Sequence, residues 1–292
     1  MPDILQPLQS PRESEQAFHN ALELAVRQHF STDHPSADGW QWGKALLMLV
    51  LCVALYSVSL ITHHLWLWAA SYFTFVKLTM LLNLNVNHDA SHNTFSRSAR
   101  LNRLTGRIVT LPLGVDPEYW RVRHVVFHHR YANVEVYDLD TEENGLVRQS
   151  PFQKWRRHMR FQHIYWPVIA ALSLPWITWV FDWRDRMDKT LLRQESLLKG
   201  KTGWTIFIAS KFTHILLMLL IPVLVNLEHD ISAGAVIIAY IISQISASLI
   251  VVFLLIGTHW ADAEFFQPPE DNMMPHGWYQ HNFATSCDWV TT

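Results

Sequence analysis

Residues 45–92 read ALLMLVLCVALYSVSLITHHLWLWAASYFTFVKLTMLLNLNVNHDASH, and this stretch decides the fold. Two apolar runs, 45–61 and 65–86, flank an uncharged break at Thr62, His63 and His64, and each approaches the roughly 20 residues that cross a bilayer. They predict a transmembrane hairpin. The second run ends in Asn83, Asn85 and Asn87, so His88 and His92 fall where the helix leaves the lipid. Histidines four apart share one helix face and can reach one metal ion. A second cluster, HVVFHH at 124–129, repeats the spacing with His124 and His128, and adds His129 about 100° further round an α-helix, a placement suited to a second metal.

Half of the 292 residues are apolar and 16% are charged. Soluble domains carry about 25% charge, so much of this surface is expected to face lipid. Of the 23 Lys and Arg, 18 lie between Arg97 and Lys201, which marks that stretch as the cytoplasmic, headgroup-facing side. These charges interleave with membrane segments, so no nucleic-acid partner is implied. Cys52 and Cys287 form no disulfide framework, and the N-terminus shows no cleavable signal peptide.

Residues 16–30 read as an amphipathic helix, suited to the membrane surface or to the rest of the protein. Arg97, Arg100, Arg103 and Arg107 with Leu101, Leu104, Ile108 and Leu111 describe a helix lying in the interface and ended by Pro112. Residues 137–151 read as a solvent-facing acidic loop. Three more apolar segments follow, at 163–181, 205–225 and 231–256. Six Lys or Arg in 184–201, against none in 226–234, put the former inside and the latter outside. Segment 163–181, with Pro167, Pro175 and three tryptophans, is then expected to be a buried or interfacial element rather than a crossing. The expected fold is all-α and integral to the membrane: four transmembrane helices in two hairpins, with a cytoplasmic helical cap carrying the histidines. Residues 1–43 form an N-terminal cytoplasmic segment and 44–292 the membrane domain.

Imidazole suits iron, zinc, copper and nickel, so histidine alone does not name the metal. No glutamate follows the first histidine as in HExxH, and the Glu and ExxH ligands of soluble di-iron bundles are absent. An all-histidine di-iron site at the membrane surface fits best. Asp89, Asp138 and Asp140 are candidates to orient the rings through their outer nitrogens. Isolated histidines (His63, His64, His158, His163, His214 and His229) read as hydrogen-bonded structural residues, and Lys77 and Lys211 as snorkelling or lining a polar cavity.

HDASH, WRVRHVVFHHRYANV with DLD after it, QHIYWP, HWADAEFF and TSCDW together resemble the membrane fatty acid desaturase family over roughly residues 70–290, in an order similar to its linoleoyl-CoA-type and front-end branch. The resemblance implies an oxygen-dependent enzyme with two irons that places a cis double bond in an acyl chain. His88, His92, His124, His128 and His129 would bind iron, and His259 is a further ligand position. The acyl lipid or thioester would enter from the membrane, and electrons would come from a separate ferredoxin or cytochrome. His34-Pro35 is followed by Ser36-Ala37 rather than a glycine pair, so no fused haem domain is expected. The family's third box, QxxHH, follows the TSCDW-like stretch, and the chain stops at Thr292 ahead of it. The expectation is an incomplete reading of a longer protein, placed in a bacterial inner membrane. A related hydroxylase or ketolase, and a non-catalytic metal-binding protein or inactive truncated relative, stay open as alternatives; spans nearly free of charge speak against a transport path.

Overall fold

The computed structural model describes residues 8–9, 15–30, 39–187, 198–259 and 263–286, with side chains for all of these except 255–259. His34-Pro35, Cys287 and the end of the TSCDW stretch lie outside the described residues. Among the described residues twelve α-helices run in chain order: α1 Gln16–His29, α2 Gly39–Ile61, α3 Leu65–Leu82, α4 His88–Ser91, α5 Ala99–Thr110, α6 Pro117–Arg121, α7 Gln162–Trp176, α8 Asp182–Arg186, α9 Gly200–Ile215, α10 Ile221–Asn226, α11 Ala233–His259 and α12 Trp278–Thr285. Among the described residues there is no β-strand, only isolated bridges at Gln9–Met273 and Val134–Phe266.

Among the described residues five helical runs are long and apolar enough to cross a membrane: Gly39–Ile61, Leu65–Ser91, Arg157–Arg186, Gly200–His229 and Ala233–Leu254. A helix is what such sequence must form in lipid, because it satisfies its own backbone. The third run corrects the reading of 163–181 as buried. Ile164, Val168, Leu172 and Trp176, four apart, form an exposed apolar row. Pro175 lacks an N–H and crowds the carbonyl four residues back. The helix nonetheless runs on through Pro175 to Trp176 and then into a π-helical turn at Ile177–Phe181, and Leu174 N donates to Ser248 Oγ at 2.9 Å.

The chain forms two compact units. One comprises residues 1–35, 122–170 and 251–292; the other, 36–121 and 171–250. In the second unit α2 and α3 pack as the expected hairpin. A π-helical turn at Leu216–Leu220 interrupts the run from α9 to α10, and Tyr56 and Tyr72 donate to the Leu217 and Met218 carbonyls, each at 2.7 Å. Lys211 is not a snorkelling residue. Its amine is buried among the Gly114 and Thr178 carbonyls and the Asp182 carboxylate, the last at 2.7 Å. His214 bridges the Leu111 carbonyl and the Tyr240 hydroxyl. Gly114 is required here: its φ is +74°, and a Cβ would stand 2.8 Å from His214 and Thr178 atoms. Lys77 donates to Ser243 O and Ser246 Oγ over the Phe73 ring. Helix α5 begins with Ser98 accepting from Leu101 N; it buries Asn102, Gly106, Val109 and Thr110 and exposes Leu101, Leu104 and Ile108 beside its arginines.

In the first unit Leu8, Tyr131, Val134, Tyr137 and Met274 form a small core. Helix α1 docks on α12: Glu15 accepts from the N–H groups of Tyr279 and Gln280, and Phe18 meets the Tyr279 ring edge-on at 4.9 Å. The 137–151 loop faces solvent only in part, since Asp138, Leu139, Thr141 and Ser150 are buried.

Candidate metal centre

Each histidine cluster adjoins a π-helical turn, in which the backbone bond runs to the fifth residue instead of the fourth. Such turns recur at functional sites because they re-aim side chains. Asn83–Asn87 is one, directly ahead of His88; Val122–His128 is the other and contains His124 and His128. His129 N accordingly bonds His124 O at 2.9 Å.

That register adds a second pairing to the expected one. On an α-helix His124 and His128 share a face and His129 stands aside. In the π turn residue 129 comes over residue 124, and the two Nε2 atoms face each other at 3.1 Å. The His124 and His128 rings lie parallel, their centroids 5.6 Å apart.

Asp138 governs the orientation of His128. Its carboxylate is 1% exposed and lies 3.1 and 3.2 Å from His128 Nδ1. It also accepts from the backbone N–H groups of Asn133 at 2.8 Å and Asp140 at 3.0 Å. A carboxylate surrounded by donors fixes the proton of His128 on Nδ1, so Nε2 is the nitrogen able to bind a metal. Burial by itself would lower the His128 pKa, but the Asp138 hydrogen bond and the charges of Asp140 and Asp138 outweigh it and hold the value above the ordinary one. Asp140 Oδ2 stands 3.6 Å from His128 Nδ1 and 4.0 Å from His124 Nδ1, a neighbouring charge rather than a hydrogen-bond partner. The loop is tight: Asn133 and Val136 take positive φ of 58° and 72°, costly for a β-branched residue. Tyr137 N and Asp138 N both bond the Val134 carbonyl and hold it.

The first cluster has a different setting. His92 N bonds His88 O at 3.3 Å, and the two rings lie 4.8 Å apart. Asp89 Oδ1 is 3.4 Å from His88 Nδ1, with both side chains about two-fifths exposed. Support comes from packing. Asn87 is 3% exposed, Gly106 of α5 lies against its amide, and the Trp120 ring faces His88 at 6.2 Å. His259 closes α11, but its side chain lies outside the described residues.

The donors suit a first-row metal ion. Two imidazole nitrogens, each about 2.0–2.1 Å from one ion, stand roughly as far apart as the His124 and His129 Nε2 atoms. His124, His128 and Asp140 offer ligand atoms all within 4.8 Å of one another. Sequence reading missed the parts played by Asn133 and Asn87. Backbone bonding gives the first no side-chain signature, and packing alone selects the second.

A family profile described as Fatty acid desaturase matches residues 66–292, more than half of the chain. The chain is 35% identical over 95 residues to the sn-1 linoleoyl-lipid 6-desaturase of Synechocystis sp., covering 32% of this chain and 26% of that one. It is 24% identical over 210 residues to the acyl-lipid (8-3)-desaturase of Physcomitrium patens, covering 71% and 43%. A third relative is the sn-1 acyl-lipid omega-3 desaturase (ferredoxin) of Synechocystis sp., 29% identical over 86 residues, 29% of this chain and 23% of that one. The chain thus spans less than half the length of these relatives. No solved structure matches it.

Proposed function

The chain belongs to the fatty acid desaturase family, and from that premise we propose that it is an oxidoreductase acting on an acyl lipid or thioester. The reaction removes one hydrogen from each of two adjacent carbons and leaves a cis double bond; O2 takes up these hydrogens with two electrons and two protons and leaves as two waters. His88, His92, His124, His128 and His129 are proposed to hold two irons, with His259 as a further ligand and Asp89, Asp138 and Asp140 behind the rings. The iron supplies oxygen activation when bound. The residues of this chain supply the rest: Asp138 keeps the His128 proton on Nδ1, and the apolar helices receive the acyl chain from the bilayer. The observation that carries the reading is the approach of His124 and His129 beside the Asp138-bound His128, in a chain of this family.

Of the five apolar runs, we read four as crossings in two hairpins and Arg157–Arg186 as interfacial, with the histidines on the cytoplasmic side of a bacterial inner membrane. The distribution of Lys and Arg supports the span count and the cytoplasmic side. A separate ferredoxin-type or cytochrome donor is proposed, in keeping with the name of one relative.

Expression in a host of known acyl composition, with mass analysis of total fatty acids, tests the function. A new product lighter by two mass units supports desaturation. A gain of sixteen replaces it with hydroxylation, and metal uptake with no oxygen-dependent lipid product replaces it with a metal-binding role.

A further inference from the structure

His276 and His281 reproduce no histidine box, yet His281 bonds the backbone just ahead of Asp138 and His276 meets His281. His281 is 3% exposed on α12, and its Nε2 lies 2.9 Å from the Ala132 carbonyl oxygen. A carbonyl only accepts, so Nε2 carries the proton and donates. Nδ1 of the neutral ring is then an acceptor, and His276 Nε2, 3.3 Å away, is the donor that meets it. Burial, followed by the neighbouring His276 charge, holds the His281 pKa below the ordinary value against the opposing Ala132 bond and Asp138 charge, so the neutral form persists.

The Ala132 carbonyl and the Asn133 N–H belong to one planar peptide group. The N–H side of that plane donates to Asp138 Oδ2 at 2.8 Å, and Asp138 holds His128 Nδ1. One unbroken path therefore runs from His276 through His281, a single peptide plane and Asp138 to His128. Further bonds anchor the same peptide neighbourhood: Phe266 N to Asn133 O, Glu135 N to Phe266 O, and Asn133 Nδ2 to Glu264 O. These fix the position of the loop, whereas the His281 bond fixes the rotation of the plane and polarises its N–H toward Asp138.

We propose that His281 is a positioning residue for the candidate metal centre, holding the 132–133 peptide so that Asp138 stays aligned on His128; this rests on the reading of His128 as a metal ligand. A core histidine without that role would affect folding but not discriminate between amides of different reach. In His281→Gln the side-chain amide can still reach the Ala132 oxygen as a donor; in His281→Asn it falls short by one methylene.

The test is Co2+ affinity of the full chain in detergent, by chelator competition, for wild type, His281→Gln, His281→Asn and His128→Ala. Outer partners of metal-binding histidines are worth about 10–100-fold in affinity, and a residue one bond further out is expected to be worth about 3–10-fold. His281→Asn should lose that much, while His281→Gln stays within about twofold of wild type. Equal affinity in the two variants, equal loss in both, or a greater loss in Gln overturns the positioning role. A wild type that takes up no Co2+, or binds it as well after His128→Ala, overturns the metal-centre reading itself and the positioning role with it.

Discussion

The two histidine clusters have almost the same spacing in sequence but are supported by different physics. HVVFHH lies inside its π turn, and a buried carboxylate holding three donors locks one of its rings. HDASH follows its π turn, its own Asp89 is exposed and stands 3.4 Å from His88, and Gly106 of α5 packs against Asn87 at the end of that turn. A short carboxylate bond out of water orients a ring strongly, while an exposed pair at 3.4 Å is screened. The second cluster is thus electrostatically preorganised and the first sterically so.

Asp138→Asn tests this difference most severely. An amide cannot accept on both sides as the carboxylate does, so metal affinity should fall about 10–100-fold, or about 1.4–2.7 kcal/mol. Chelator competition measures it, and an undiminished affinity would break the contrast. Next comes Gly106→Ala, whose Cβ would stand 2.8 Å from Asn87 Oδ1. Because the amide can turn aside, the cost should be about 1 kcal/mol, at the low end for overpacking. It would appear as a lowered thermal midpoint of the metal-free protein; an unchanged midpoint would show that packing does not hold the first cluster.

A smaller effect concerns pH. The folded pKa of His281 lies below the ordinary histidine value of 6.5. Its contribution to stability is therefore complete above that value and is lost as pH falls toward the depressed one, because the unfolded chain takes up the proton first. His128, raised in the metal-free protein, acts in the opposite sense: its contribution is present at low pH and is lost as pH rises through its folded pKa. Thermal midpoints taken between about pH 7.5 and 5.5 should fall more for wild type than for His281→Gln. Parallel curves would show that His281 pays no burial penalty. The smallest change is expected from Asp89→Asn, within about twofold in metal affinity. A loss matching that of Asp138→Asn would mean that both clusters are held by charge.

Much of the fold is legible in the sequence. Apolar runs of spanning length specify the helices, because a chain in lipid has to close its own hydrogen bonds. The α1 helix, the arginine helix at 99–110 and the acidic support behind the second cluster are readable from residue type and period. Two readings fall short in part, for identifiable reasons. Proline and tryptophan content suits 163–181 to a buried or interfacial element, and the buried alternative fails because Ile164, Val168, Leu172 and Trp176 are exposed along one helix row. The loop at 137–151 looks solvated from its charges, yet Asp138 is buried because three donors surround it.

The sequence by itself determined the apolar helices, the family and which side chains are candidate metal ligands. These follow from composition and short-range spacing. Tertiary structure decided which histidine meets which. One extra residue in a helical turn is invisible to a pattern of period 3.6, yet it moves His129 over His124. It also decided that His281, 149 residues from Ala132 along the chain, holds the peptide next to Asp138. A hydrogen bond to a backbone carbonyl places no constraint on the identity of the residue that presents it, so only folding brings the two together.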